Sequence, residues 1–545
     1  MQFNYTYKNN TTVQENGTNT QMSFSPDTTR PPTYFIGELR QNIAFREAIS
    51  ALHDVVISDL RFTPKDKTAY KEWRKQQEDL NWDLIAAMRQ DVATKIQTLQ
   101  QEYNQLTKQS YERMAPFYAA RQKYFNYLYE KDRDAWFVLD PVITVHPDEV
   151  FFECFSIDES SYGRLSASYE VFKINEFACG TTNVDYSASL YEEFQKIRTY
   201  KTTELKVDPS GFEVETTNEE AYKEVKIDLP DTWVRGFLQV SSAMCLPTIQ
   251  FDLHPTDIYN MCFILRRHKE KQGPRSIRYH LEPGKPIRIV FEPWNIELTC
   301  PRSPYLGSEP QTIRVWGRRR LLILERLIPI AKKFTVHLLG TGMPSFYIAD
   351  LGDMSFTLGL SGWTANDWST SGNFDLMAPR ASVDEWTQTQ IFNALRENWV
   401  ETADDLAKRL KLSRAAITGA LSVYTQAGRV IYDLNKKVYR IRELSRDPLP
   451  IDRLRFANER EEGATKFLAN NAIQITSVDD SNNRLTIQGN VKDKQKTYTP
   501  SLTIDNDERI IGAECTCNWH QQNKLFKGPC EHILALRMQH SRGRQ

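Results

Sequence analysis

Residues 510–536 read IIGAECTCNWHQQNKLFKGPCEHILAL, and three of the chain's eight cysteines, Cys515, Cys517 and Cys530, fall here beside His532. The spacing is Cys-x-Cys, twelve residues, then Cys-x-His. On a strand, positions i and i+2 point to the same side, so Cys515 and Cys517 at the end of a β-hairpin aim two sulfurs at one point. Pro529 suits a first helical turn, so Cys530, Glu531 and His532 open an apolar helix whose N-terminus favours a thiolate. Three thiolates and a neutral imidazole close a tetrahedral shell, the way structural rather than catalytic zinc is held. An iron–sulfur cluster is the less natural alternative for so short a Cys-x-Cys step. His520 and His540 lie outside the pattern, and an exposed loop and a solvated tail account for them.

This ligand order, with paired strands before it and a helix after it, resembles the SWIM-type zinc finger over residues 496–537. The resemblance implies one structural Zn2+ held by Cys515, Cys517, Cys530 and His532. The whole arrangement is similar to bacterial SWIM zinc finger family proteins, some of which are encoded beside MoxR-type AAA+ ATPases and von Willebrand factor A proteins. Such fingers bind DNA or other proteins, so the resemblance implies a nucleic-acid or protein partner.

Working outward, residues 446–545 form a strand-rich lead-in (472–478, 483–488, 496–504 and 510–515, after a helix at 456–469) and the finger itself, core 496–540. Residues 385–445 spell three helices and a hairpin. The first helix spans 387–399, Thr402 and Ser413 are placed to cap the next two, and β-rich runs at 429–433 and 437–441 form a wing. That order predicts a winged-helix-like domain. Residues 136–384 change to short strand-like runs, among them 137–145, 287–291, 312–316 and 356–360, and predict a mixed or β-rich domain. The segment 342–369, with Gly359, Gly362, Trp363 and Trp368, reads as aromatic-packed structure.

Upstream, residues 34–135 read as helical. Ile85, Val92, Leu99 and Leu106 recur every seven residues, which predicts a packing seam in an antiparallel hairpin. Residues 1–33, rich in Asn, Thr and Gln, read as a flexible polar tail with no secretory apolar run. The fold class expected is therefore α+β and multidomain: an N-terminal helical hairpin, a mixed or β-rich middle, a winged-helix-like segment and a C-terminal β-hairpin-plus-helix zinc finger.

At 545 residues the chain has room for about three to five domains. With 40% hydrophobic and 26% charged residues it is ordinary globular material, neither disordered nor collagen-like. The remaining cysteines, Cys154, Cys179, Cys245, Cys262 and Cys300, are too sparse for a disulfide scaffold and read as free core thiols. The most apolar stretch, 321–330, is short and carries Glu325 and Arg326, unlike a membrane span. A cytoplasmic protein is expected.

The formal net charge is −1, but residues 387–545 hold 25 Lys and Arg against 19 Asp and Glu. Nine basic residues and one acidic residue fall within 408–442. Lys408, Arg409, Lys411, Arg414, Lys436, Lys437 and Arg440 are thus candidate nucleic-acid contacts, mostly to phosphate. Against specific reading, the outward positions expected on the third helix are Ala415, Thr418, Gly419, Ser422 and Gln426, which cannot pair with base edges as Arg or Asn would. A protein adaptor working with a separate ATPase is the rival reading. Catalysis has little support: no phosphate-binding loop, nucleophile elbow or zinc-protease motif occurs. Asp350 and Asp353 read as a satisfied turn, and Arg318, Arg319 and Arg320 as a solvated charge run.

Overall fold

In the computed structural model the described residues are 12–16, 19–24, 33–58, 142–183, 191, 194–200, 202–207, 231–269, 275–362, 367–369, 373–379, 381, 383–444, 459–481, 484–494 and 496–542. They belong to the unit formed by residues 1–58 and 139–545. The heptad seam at 85–106 and most of the expected helical hairpin lie outside the described residues.

The structure mixes helices with mainly antiparallel sheets, as an α+β chain should. Its centre is an eight-stranded sheet in the order β10 (Ile249–Leu253), β15 (Lys333–Leu338), β16 (Ser345–Asp350), β17 (Met354–Leu360), β6 (Ser161–Ser168), β5 (Glu149–Phe155), β4 (Val142–Val145) and β8 (Gly180–Asn183). Every residue of β5 is buried, because both faces of that strand are covered. Helix α1 (Asn42–Val56) covers one face, with Phe45 edge-on to Phe152 at 6.2 Å. Gly163 lets it approach, since a Cβ there would meet Val55 Cγ2 at 3.0 Å and Leu52 Cδ1 at 3.2 Å. Helix α2 (Asp231–Met244) covers part of the other face, with Phe237 4.7 Å from Phe155.

Two further sheets flank this centre. One runs β13 (Ile296–Pro304), β12 (Pro286–Phe291), β11 (Ser276–Leu281), β14 (Gln311–Trp316), beside helix α3 (Pro255–Arg267). The other runs β1 (Thr12–Asn16), β2 (Asn19–Phe24), β9 (Thr202–Val207), β3 (Tyr34–Leu39), β7 (Phe172–Ala178). It departs from the sequence reading twice. Part of the polar N-terminal stretch forms β1 and β2, and β2 runs parallel to β9, supplied from nearly 180 residues downstream. Residues 34–39, expected to be helical, form β3, which alternates half-buried and buried residues. A partner strand so remote leaves no local signal.

The C-terminal elements follow the sequence closely. Helices α4 (Glu385–Asn398), α5 (Ala403–Leu410) and α6 (Arg414–Gln426) precede a three-stranded sheet, β18 (Val400–Glu401), β20 (Val438–Ile441), β19 (Val430–Asp433). Thr402 and Ser413 cap α5 and α6 by accepting from the Asp405 and Ala416 amides. After helix α7 (Glu459–Ala469) comes the last sheet, β21 (Ile473–Ser481), β22 (Arg484–Asp493), β24 (Ser501–Asp505), β25 (Ile510–Glu514), with β23 (Lys496–Tyr498) paired to β22. Helices α8 (Asn518–Asn523) and α9 (Glu531–Arg542) end it.

The Arg318 run is not a solvated face: Arg318 and Arg320 are buried. Arg318 donates to the Ser276 and Glu292 carbonyls and lies over the Trp294 ring. Trp368 is fully buried between Phe346 and Phe374, in keeping with a packing role. Asp350 accepts from the Gly352 amide and Asp353 from Gln41, so both are held in their turn. Cys154, Cys245, Cys262 and Cys300 are free buried thiols, and Cys179 is free and half-buried.

Candidate metal centre

Cys515, Cys517, Cys530 and His532 are brought together as one buried cluster, their ligand atoms all within 4.8 Å of one another. The local route differs slightly from the strand expected. Strand β25 stops at Glu514, and Cys517 is the N-cap of α8, its sulfur accepting from the His520 amide at 3.4 Å. Opposite, Cys530 immediately precedes α9, and its carbonyl accepts from the Leu534 amide. Two cysteines therefore meet helix N-termini, where partial positive charge favours thiolate.

The donors fit a divalent soft ion. Hydrogen bonds from Cys515 and Cys530 hold the Cys517 thiol far below the usual thiol range, while Cys515 and Cys517 push Cys530 up. Three sulfurs so close cannot all ionise unless a cation joins them. Both ring nitrogens of His532 are sealed from solvent with no hydrogen-bond partner among the described residues, an expensive arrangement unless one nitrogen binds metal. Its ring is fixed between Phe467 at 5.2 Å and Tyr498 at 4.3 Å. Three sulfurs and one imidazole, all from the chain itself, form a four-donor set that could hold a metal ion. His520 is not a ligand in this cluster, yet it is fully buried on α8 rather than on an exposed loop, 3.4 Å from Glu514. His540 is half-buried on α9.

Arg460, which sequence reasoning missed, clasps the two halves of the cluster. It donates to the carbonyls of Lys527 (2.9 Å) and Pro529 (3.0 Å), just before Cys530, and its guanidinium lies 4.5 Å over Trp519, just after Cys517. Burial pulls its pKa down to about 10, so it remains a cation. Nothing in the Cys and His spacing points to a residue seventy positions upstream. Arg537 on α9 anchors the module to the body, donating to the Leu376, Ala378 and Glu508 carbonyls.

The seven candidate nucleic-acid contacts are not gathered on one free surface. Arg440 is wholly buried and pairs with Asp148 (2.7 Å), Asp433 (3.1 Å) and Glu149 (3.4 Å). Lys436 binds Glu149 at 2.6 Å and Asp148 at 3.5 Å. Arg409 pairs with Glu397 and Glu401, and Arg414 with Asp404 and Asp507. Lys408 is 81% exposed and only 4.0 Å from Asp405, while Lys411 and Lys437 are exposed. Arg442, another of the nine, is buried against Glu153 with its guanidinium over Phe237.

The presumed outward face of α6 is corrected as well. Thr418, Gly419 and Ser422 are buried, and a Cβ on Gly419 would meet the Ala381 Cβ at 2.7 Å. That face is covered by the chain itself.

No protein-family model matches the chain, and no curated protein matches it. Among solved structures, the crystal structure of Proliferating Cellular Nuclear Antigen from Entamoeba histolytica is similar over 60% of this chain and 98% of that chain, at 8% identity and a TM-score of 0.34, too slight a likeness to bear on fold or function. Among the described residues no helix is long and apolar enough to cross a membrane.

Proposed function

We propose that the chain is a non-catalytic, zinc-stabilised scaffold that docks a protein partner. One observation carries this: most basic side chains of 408–442 are neutralised by carboxylates of the same chain, and the α6 face that would enter a groove is buried. Such charges attract phosphate weakly, because their field is already cancelled at close range. On this reading the winged-helix order of 385–444 serves as an architectural module, and the finger is SWIM-type. The resemblance drawn from its ligands makes a separate ATPase the expected partner. A cytoplasmic location suits three ligand thiols that must stay reduced.

Trp386, 73% exposed at the start of α4, is a candidate anchor, since tryptophan is enriched where binding energy concentrates. A second reading, weak phosphate contact, keeps support only from the exposed Lys408, Lys411 and Lys437. The test is a pull-down of the full chain before and after nuclease treatment, with wild type and Trp386→Ala. Partner capture that survives nuclease and is lost in Trp386→Ala supports the scaffold. Capture abolished by nuclease would return the function to nucleic acid.

A further inference from the structure

A cleft of about 450 Å³ lies between the outer face of the eight-stranded sheet and the turn at 434–437. It spans β15, β16, β17 and β6, three strand spacings, so it is about 14 Å long. Its β15 end is cationic. Lys437 hangs from the roof with no carboxylate partner among the described residues, and Lys333 is tied only to the half-exposed Asp252 at 3.0 Å, a surface pair of little strength. Between them His337 is buried, with Nδ1 2.9 Å from the Thr248 hydroxyl. Burial and the nearby Lys437 hold its pKa at about 4, so the ring is neutral at pH 7. The Thr248 hydroxyl engages Nδ1 only, and His337 itself lines the cleft.

The other end is built of hydroxyls and carboxylates. Ser355 and Ser166 are cross-strand partners, and Ser168 follows two places along β6 on the same face. Ser168 Oγ is shut from solvent with no hydrogen-bond partner among the described residues, an orphan that asks for an incoming group. Glu149 and Asp353 line the same stretch, while Asp350 stands in register with Lys333 nearer the β15 end.

We propose that this cleft binds a small hydroxylated molecule with one terminal phosphate, a sugar monophosphate, with its phosphate between Lys437 and His337 and its hydroxyls along Ser166 and Ser168. Ammonium groups hold phosphate as point charges, with no guanidinium fork required. The carboxylates at the far end would repel a second phosphate. Among the described residues no Phe, Tyr or Trp lines the cleft, so they offer a nucleobase nothing to stack on.

The test is calorimetric titration of the full-length protein with ribose 5-phosphate, ribose and inorganic phosphate. Ribose 5-phosphate should bind saturably and at least tenfold tighter than either fragment. Lys437→Gln should weaken it tenfold or more, and Ser166→Ala by a few-fold, with melting temperatures unchanged. Absence of saturable binding to wild type, equal affinity for phosphate alone, undiminished binding by Lys437→Gln, or displacement by a duplex oligonucleotide would each overturn the assignment.

Discussion

The finger and the helix–hairpin module at 385–444 are both fixed to the same body by buried charge, but they neutralise it in opposite ways. In the finger, three thiols crowd within 4.8 Å and call for a cation that the chain does not itself supply. In the module, Arg440 and Arg442 enter the protein whole and meet Asp148, Glu149 and Glu153, carboxylates about 290 residues away in sequence. Arg164 completes that joint, bridging Glu149 at 3.0 Å and Asp433 at 3.1 Å. The first device is conditional on a ligand, while the second is permanent once the chain has folded. A metal should therefore govern the order of the finger alone, and removing any one charge should strain the module.

The largest effect expected is loss of the metal. Closed zinc sites contribute on the order of 10 kcal/mol in small fingers. Chelation, or Cys530→Ser, should abolish bound zinc and expose the amides of α8 and α9 to hydrogen exchange while β5, β6 and β17 stay protected. Full zinc stoichiometry in Cys530→Ser would remove that ligand from the set. Equal loss of protection in the central sheet would erase the contrast between the two regions.

Next comes the permanent joint. Arg442→Leu leaves Glu153 buried without its cation and should cost about 3–5 kcal/mol by denaturant unfolding. Adding Glu153→Leu should recover much of that loss, because a buried pair replaced as a whole by apolar groups is often neutral. A double variant as unstable as the sum of the singles would show that the two charges do not act as a pair.

These two cases explain what could be read in advance. The cluster of Cys515, Cys517, Cys530 and His532 was legible because thiol and imidazole are characteristic metal donors, and four of them within eighteen residues form a local pattern. Helix caps such as Thr402 and Ser413 were legible for the same reason, each acting within three residues. The basic run at 408–442 was legible only in part because a charge is defined by its partner, and Asp148, Glu149, Glu153 and Asp507 lie in other parts of the chain. Arg460 was hidden for the converse reason, since it bonds to backbone carbonyls, which every residue carries. Strand β2 needed a parallel partner, β9, that no local periodicity announces.

A pH titration probes the joint without mutation. His146 is buried, and its Nε2 lies 2.6 Å from the Ile441 carbonyl; burial, reinforced by Arg440, holds its pKa at about 3. The unfolded chain takes up a proton at this ring below about 6.5, the folded chain only near 3. Its contribution is thus complete above pH 6.5 and is lost as pH falls, by about 2–3 kcal/mol at pH 4.5. His146→Gln, which keeps a donor for that carbonyl, should flatten the slope of melting temperature between pH 6.5 and 4.5. An unchanged slope would place the acid sensitivity elsewhere.

On the finger side, Arg460→Ala should keep all four ligands and weaken zinc about 10- to 100-fold, the usual range for a residue that orients ligands without touching metal. Competition with a chelator of known affinity measures this. Arg460→Lys keeps the charge but loses the paired bonds to Lys527 and Pro529, so it should rescue little. Rescue by lysine would mean that charge alone, and not the clasp, matters.

The smallest effect should be on DNA. If the module's charges are cancelled internally, only Lys408, Lys411 and Lys437 remain to release counterions from phosphate. Three contacts at about 0.9 each set a limit near −3 on the slope of log K against log salt for any binding to duplex DNA. Lys408→Gln with Lys411→Gln should bring that slope to within about one unit of zero, while Lys436→Gln, already bound to Glu149, should hardly change it. The order of these two variants separates the readings. A free wing would make Lys436 matter as much as its neighbours, whereas a docked wing leaves it silent until the joint at Asp148 and Glu149 is itself broken.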